Sequence, residues 1–70
     1  METVYLRDEY IKLGQALKAA GAAESGSFAK EMILQGEVKV NGEVEYRRGR
    51  KLYDKDEVTV NDQVIRIEAQ

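Results

Sequence analysis

The sequence contains no cysteine, no histidine, no proline and no tryptophan in 70 residues. Without Cys there is no disulfide, and without Cys or His the common zinc ligands are missing, so a chain this short must hold its fold by packing alone. A domain of this size buries only roughly 60% of the surface its unfolded chain exposes, which leaves a thin margin of stability. The same absences remove the usual general base and the thiol nucleophile, so the chain reads as a non-enzyme. The scattered glycines form neither a phosphate loop nor a dinucleotide fingerprint. Asp54, Asp56 and Glu57 are the only candidate cation cluster, but Lys55 sits among them without EF-hand spacing, and a solvated turn is the expected reading. Neither metal nor cofactor is expected. No long Gly/Ser tract or internal repeat marks a linker, so residues 1–70 read as one domain. No apolar run approaches the ~18 residues of a membrane helix, and no basic-then-apolar leader opens the chain. A cytoplasmic, monomeric protein without a membrane partner is expected, and the absence of Cys agrees with a reducing compartment.

What is present is an ordinary apolar fraction, 43%, beside a high charged fraction, 34%. The net charge of −2 argues at first sight against a nucleic-acid partner, but it hides an uneven distribution. From Lys12 to Lys51 eight cationic side chains face five acidic ones, whereas the two ends together carry three against eight. Mixed charge of this kind also serves solubility alone.

Thr3 to Leu6 alternates polar and apolar residues and suits a short edge strand. Leu13, Ala16, Leu17 and Ala20 fall at i, i+3, i+4 and i+7, which predicts an amphipathic helix that Gly21 stops. A second helix is predicted after Ser25 or Ser27, either of which can cap it, with Phe28, Ala29, Met32 and Ile33 as its buried face and Gly36 as its end. The two helices form a helix-turn-helix-like pair with Lys18 and Lys30 on polar faces. From Val38 the period changes to two, and Asn41-Gly42 is a strong hairpin signal. A two-residue turn would set Val40 opposite Glu43 and mix faces, whereas a three-residue loop would pair Val40 with Val44 and Val38 with Tyr46; burial favours the latter. Leu52, Val58, Val60, Val64, Ile65 and Ile67 continue as strands broken at Asp54-Lys55-Asp56 and Asn61-Asp62. The fold class is therefore α+β, two short helices packed on a small, mostly antiparallel sheet.

The sharpest local signal is Arg47-Arg48-Gly49-Arg50-Lys51, four cations within five residues on a loop that can reach a phosphate backbone. The competing reading pairs them with Glu43, Glu45 and Asp54. Tyr46 can stack on an unpaired base, but beside a hairpin it reads better as a cross-strand core contact.

Lys12-Leu13-Gly14-Gln15-Ala16-Leu17-Lys18, Ser25-Gly26-Ser27-Phe28-Ala29-Lys30-Glu31-Met32-Ile33 and Gly36-Glu37-Val38-Lys39-Val40-Asn41-Gly42 follow one another in the order and spacing of a known family. The chain resembles, over roughly Ile11 to Val60, the RNA-binding domain named after small-subunit ribosomal protein S-four, the αL motif. The Ser-Gly-Ser opening with the basic run is similar to its small stand-alone bacterial members. The resemblance implies a helix pair and hairpin loop laid against the backbone of structured RNA, ribosomal or transfer, and an association with ribosomal particles. By position it implies contacts from Lys12 and Lys18 on the first helix and from Lys30 on the second. It further implies Lys39 and Asn41 in the hairpin, and Arg47, Arg48, Arg50 and Lys51 in the basic connection. Ser25, Gly26 and Ser27 would offer helix N-terminal N–H groups to a phosphate. Many members carry Arg where this chain has Gly26 and Ser27, which implies weaker binding here. Phe28, at a position often charged in the family, reads as a stacking platform or a core residue, and the core is favoured. The alternative is a protein-interaction adaptor that uses the same fold without RNA, suited by the acidic excess at both ends.

Overall fold

The computed structural model describes residues 1–70. Strand β1 (Glu2–Tyr5) is followed by the two-residue β2 (Ile11–Lys12), which runs directly into helix α1 (Leu13–Ala19), and helix α2 (Gly26–Leu34) comes next. Strands β3 (Val38–Val40), β4 (Glu43–Val44), β5 (Lys51–Leu52), β6 (Glu57–Val60) and β7 (Gln63–Glu68) complete the chain. Five strands form one sheet in the order β1-β7-β6-β3-β4, and β2 pairs with β5 in a separate two-stranded ladder. All pairings are antiparallel except β1 with β7, so the α+β class and the edge position of the first strand agree with the sequence.

Period-two alternation turns Val38, Val40, Val58, Val60, Ile65 and Ile67 to one face of the sheet, where they are buried. Leu13, Ala16 and Leu17 of α1 and Ala29, Met32 and Ile33 of α2 join them in one apolar cluster, together with Leu52 from β5. Each helix ends at a glycine in the left-handed region, Gly21 at φ 77° and Gly36 at φ 78°, a backbone state that costs glycine nothing. Of the two candidate caps Ser25 is the one used: its Oγ accepts the Phe28 N–H at 3.1 Å.

Three expectations are overturned. The β3–β4 hairpin has the two-residue turn, with Val40 opposite Glu43 and Lys39 opposite Val44. Asn41 (φ 51°) and Gly42 (φ 89°) both take positive φ, the turn whose twist matches paired strands. Burial does not oppose it, because β4 is a short edge strand with both residues exposed. Phe28 is 53% exposed and not in the core. It stands one residue outside the Ala29-Met32-Ile33 stripe, where it borders a shallow cleft with Ala22 and Glu31. Tyr46 is 59% exposed, since the chain has left the sheet after Val44, and its hydroxyl lies beside Gly36.

The turn is held by its own asparagine. Asn41 Nδ2 donates to Asp56 Oδ1 at 3.0 Å, and Asn41 Oδ1 accepts the Glu57 N–H at 2.9 Å. Asp56 also accepts the Tyr53 N–H, Asp54 accepts the Ala69 N–H, and Glu57 pairs with Arg66. The carboxylates of this turn are thus tied into the backbone and the sheet.

Between β4 and β5 the chain has no regular structure, and its shape is set by Glu45, a buried carboxylate with 7% exposure. Glu45 Oε2 accepts the backbone N–H groups of Tyr46 and Arg47, each at 3.1 Å, and Arg47 Nε at 3.0 Å. Its Oε1 accepts Arg47 Nη2 at 3.1 Å and Arg50 Nη1 at 2.9 Å. The Arg47 hydrogen bond, with that of Arg50 and the local N–H donors, outweighs burial and holds the Glu45 carboxyl down from its ordinary 4.5 to about 2. The loop's carbonyls face α1: Leu13 N–H donates to Arg50 O at 2.8 Å and Gly14 N–H to Arg48 O at 3.0 Å.

Two outcomes follow for stability. Asn41→Gly keeps the turn but loses both side-chain hydrogen bonds, and should cost about 1–3 kcal/mol in chemical denaturation. A carboxyl depressed by folding contributes stability that is full above its unfolded value and is lost as pH falls. The Tm difference between wild type and Glu45→Gln should therefore close as pH drops from 4.5 to about 2; a gap that persists at the acid end would contradict the role of the carboxylate.

Candidate nucleic-acid interface

Lys12 ends β2 and stands immediately before α1, and its backbone N–H donates to Gln15 Oε1 at 3.4 Å. Gly14, Gln15 and Lys18 follow on α1 at spacings that keep them near one face. Opposite them lies the loop that Glu45 holds, pinned to the start of α1 by the Arg48 and Arg50 carbonyls. The result is a cleft of about 310 Å³ lined by Lys12, Gly14, Gln15, Lys18, Gly26, Arg48 and Gly49, with no hydrophobic side chain among them. Gly49 is shared with a second, more open depression lined by Arg47, Arg50 and Lys51. Gly14 is there for space: a Cβ would stand 2.8 Å from Arg48 Cγ and 3.3 Å from its Cδ, so the Arg48 side chain lies directly on the helix backbone.

The sequence-derived residues divide into four groups. Lys12, Lys18, Gly26, Arg48 and Lys51 gather on this surface without a carboxylate partner. Arg47 and Arg50 belong to it too, but both are engaged by Glu45, and that contact raises the pKa of Arg47 further. The competing reading, cations paired within the loop, therefore holds for two of the four. The Arg47 side chain is still 74% exposed, so it keeps donors free for a ligand. Ser25 is committed to capping, and Ser27 is exposed in the first turn of α2. Lys30, one turn after Gly26 on the same helix, extends that face without lining the cleft.

Lys39 and Asn41 are not brought to this surface. Lys39 alternates with buried Val38 and Val40 and so points from the sheet face opposite the helices. The Asn41 side chain is consumed by Asp56 and Glu57. Sequence reasoning missed Gly14, Gln15 and Gly49 as lining residues. A glycine inside an amphipathic helix was the available signal for Gly14, since such a position usually marks a close approach. Glu45 is one of three carboxylates that the sequence offers as partners of the basic run, but its burial and its hold on the loop backbone leave no mark there. Lys51 also has a neighbour the sequence did not reveal: its Nζ stands 4.8 Å from the centroid of the Tyr10 ring. Among all 70 residues no group of three or more His, Cys, Asp or Glu side chains is placed to hold a metal ion, and no helix is long and apolar enough to cross a membrane.

Comparison with known proteins agrees with this arrangement. The S4 domain matches residues 4–68. The chain is 50% identical over 52 residues to the probable ribosome maturation protein RlbA of Bacillus subtilis (strain 168), covering 74% of this chain and 73% of that protein. The solution structure of YbcJ from E. coli, described as having an αL motif involved in RNA binding, superposes with a TM-score of 0.76 at 34% identity. That match covers 99% of this chain and 89% of YbcJ. With the helix pair, the hairpin and the basic connection all in place, the chain belongs to the S4 domain family, the αL RNA-binding fold.

Proposed function

We propose that this protein is a non-catalytic RNA binder that recognises a folded RNA, ribosomal by preference and transfer RNA as the second class, in the course of ribosome maturation. The observation that carries this reading is the convergence of Lys12, Lys18 and Arg48 on a cleft lined by no hydrophobic residue and by no carboxylate. Three unpaired cations around one opening suit a phosphate backbone. The Gly26 and Ser27 N–H groups precede the first intrahelical bond of α2, made by Ala29 to Ser25, and add donors at the positive end of that helix. Recognition by backbone charge and shape suits structured RNA, whose deep groove side chains do not read. The description of RlbA as a ribosome maturation protein and of the YbcJ motif as RNA-binding supports the same partner class.

A ribosomal RNA fragment titrated at several salt concentrations tests the reading. With four unpaired cations, Lys12, Lys18, Arg48 and Lys51, contacting phosphates, log affinity should fall with log salt at a slope of about −3. Lys12→Ala, Lys18→Ala and Arg48→Ala should each weaken binding and flatten the slope by about 1. A salt-independent affinity would remove the phosphate account. Gly14→Ala should bind as poorly as Arg48→Ala while its Tm stays within a few degrees of wild type, because the new methyl displaces Arg48 while helix propensity improves by about 1 kcal/mol. Unchanged affinity in Gly14→Ala would show that the seat of Arg48 on α1 is irrelevant to RNA.

A further inference from the structure

A third concavity, of about 440 Å³, lies between β1, the turn that follows it and the outer side of α1. Its chemistry differs from that of the cationic surface. Tyr5, Tyr10 and Ile11 offer aromatic and apolar walls, while Arg7, Asp8 and Gln15 offer both donors and acceptors. Arg7 and Asp8 carry opposite charges, so the cleft gives a phosphate no net attraction. Tyr5 is 59% exposed and contributes nothing to the core, although it sits on a strand whose Val4 is buried. An exposed aromatic ring beside groups that hydrogen-bond in both directions suits a planar, neutral, heteroaromatic ring.

The position of this cleft is as informative as its lining. Gln15 belongs both to it and to the Lys12–Arg48 cleft. Tyr10, on its other side, lies under the Lys51 ammonium of the second basic depression. The concavity therefore borders the cationic surface at two separate points, and a chain whose phosphates rest on Lys12, Lys18 and Lys51 would carry its bases past this opening.

We propose that the Tyr5–Tyr10 cleft takes one unpaired nucleobase of the RNA held on the cationic surface, the ring lying against Tyr5 or Tyr10 and its edge meeting Arg7, Asp8 and Gln15. This rests on the RNA-binding reading above and adds to it a place where base identity is sensed. Single-stranded loops and bulges are where RNA presents bases that can be splayed out and stacked on aromatic side chains, which joins a shape-reading surface to a base-reading one.

The probes are the four nucleoside 5′-monophosphates and ribose 5-phosphate, titrated into the isotopically labelled protein by NMR. At millimolar concentration at least one nucleotide should shift the Tyr5 signals, while ribose 5-phosphate should shift only those of Lys12, Lys18, Arg48 and Lys51 and of Gln15 and Tyr10 beside them, leaving Tyr5 unmoved. If nucleotides and ribose 5-phosphate give the same pattern, confined to the cationic cleft, the base site is overturned and the phosphate-binding reading stands. Tyrosine shifts with nucleotides, with no response to ribose 5-phosphate anywhere, would support the base site and count against the phosphate account. Silence from all five probes at tens of millimolar overturns the base site. In a second arm, Tyr5→Leu keeps an apolar side chain on the strand but loses the flat ring. It should weaken binding of a stem-loop RNA about tenfold, within the range for one stacked base, and leave the salt slope and the affinity for the blunt duplex of the same stem unchanged. An equal loss on stem-loop and duplex, or none on either, would overturn the proposal. So would saturation by one free nucleotide at micromolar concentration, which marks a mononucleotide site instead.

Discussion

A buried carboxylate needs partners, and Glu45 takes all of them from its own loop: two backbone N–H groups, the planar fork of Arg47 and one arm of Arg50. Removing the charge from water without those donors would cost far more than the loop could return, so the donors cannot wander. Each of them is also a point on the chain between β4 and β5, and fixing them fixes the loop. The loop in turn presents its Arg48 and Arg50 carbonyls to the first N–H groups of α1, which have no partner within the helix. One ion cluster thereby sets the distance between the loop cations and those of the helix, and the cleft between them exists at that distance.

The same cluster explains how a chain with a net charge of −2 keeps a cationic surface. Part of the acidic excess is occupied elsewhere: Glu57 and Glu68 pair with Arg66, Glu68 also with Lys55, and Asp56 serves the hairpin clamp. They lie in or beside the turn and strands at the C-terminal side of the sheet, while the cleft is built from α1, the start of α2 and the basic loop. Glu45 is the one carboxylate inside that loop, and it neutralises Arg47 and Arg50 without touching Lys12, Lys18 or Arg48. At physiological salt the screening length is about 8 Å, so the potential in the cleft follows this local balance and not the sum over the protein.

Much of the fold was legible because it follows from periodicity. The Leu13-Ala16-Leu17 stripe, the stops at Gly21 and Gly36, and the alternating valines of β3 and β6 reappear where the pattern puts them. The family resemblance placed the helix pair and the basic connection correctly. What failed were questions that periodicity does not decide. Phe28 and Tyr46 are large and apolar enough to suggest burial, yet Phe28 lies just outside the buried stripe of α2 and Tyr46 follows an edge strand with no buried residue. In the hairpin, turn geometry at Asn41 and Gly42 overrode a burial argument that had no force on a two-residue edge strand. Of the site, the cations were legible and their grouping was not: Lys39 and Asn41 fell away because strand alternation and a side-chain clamp took them elsewhere. Gly14, Gln15 and Glu45 matter through contacts between segments thirty or more residues apart, or through burial, and neither leaves a mark in local sequence.

The parallel pairing of β1 with β7 joins Glu2–Tyr5 to residues 65–68. The first strand therefore finds its only strand partner at the far end of the sequence, and its ladder forms once residues 65–68 are in place. The strand that walls the aromatic cleft thus depends on a pairing of long sequence separation, whereas the helices and the Asn-Gly hairpin are built from near neighbours. Contacts between sequence-distant strands form slowly compared with local ones. Both clefts depend on such long-range contacts: Arg48 must reach α1 to form the cationic groove, and the last strand must lie beside the first to wall the cleft next to it.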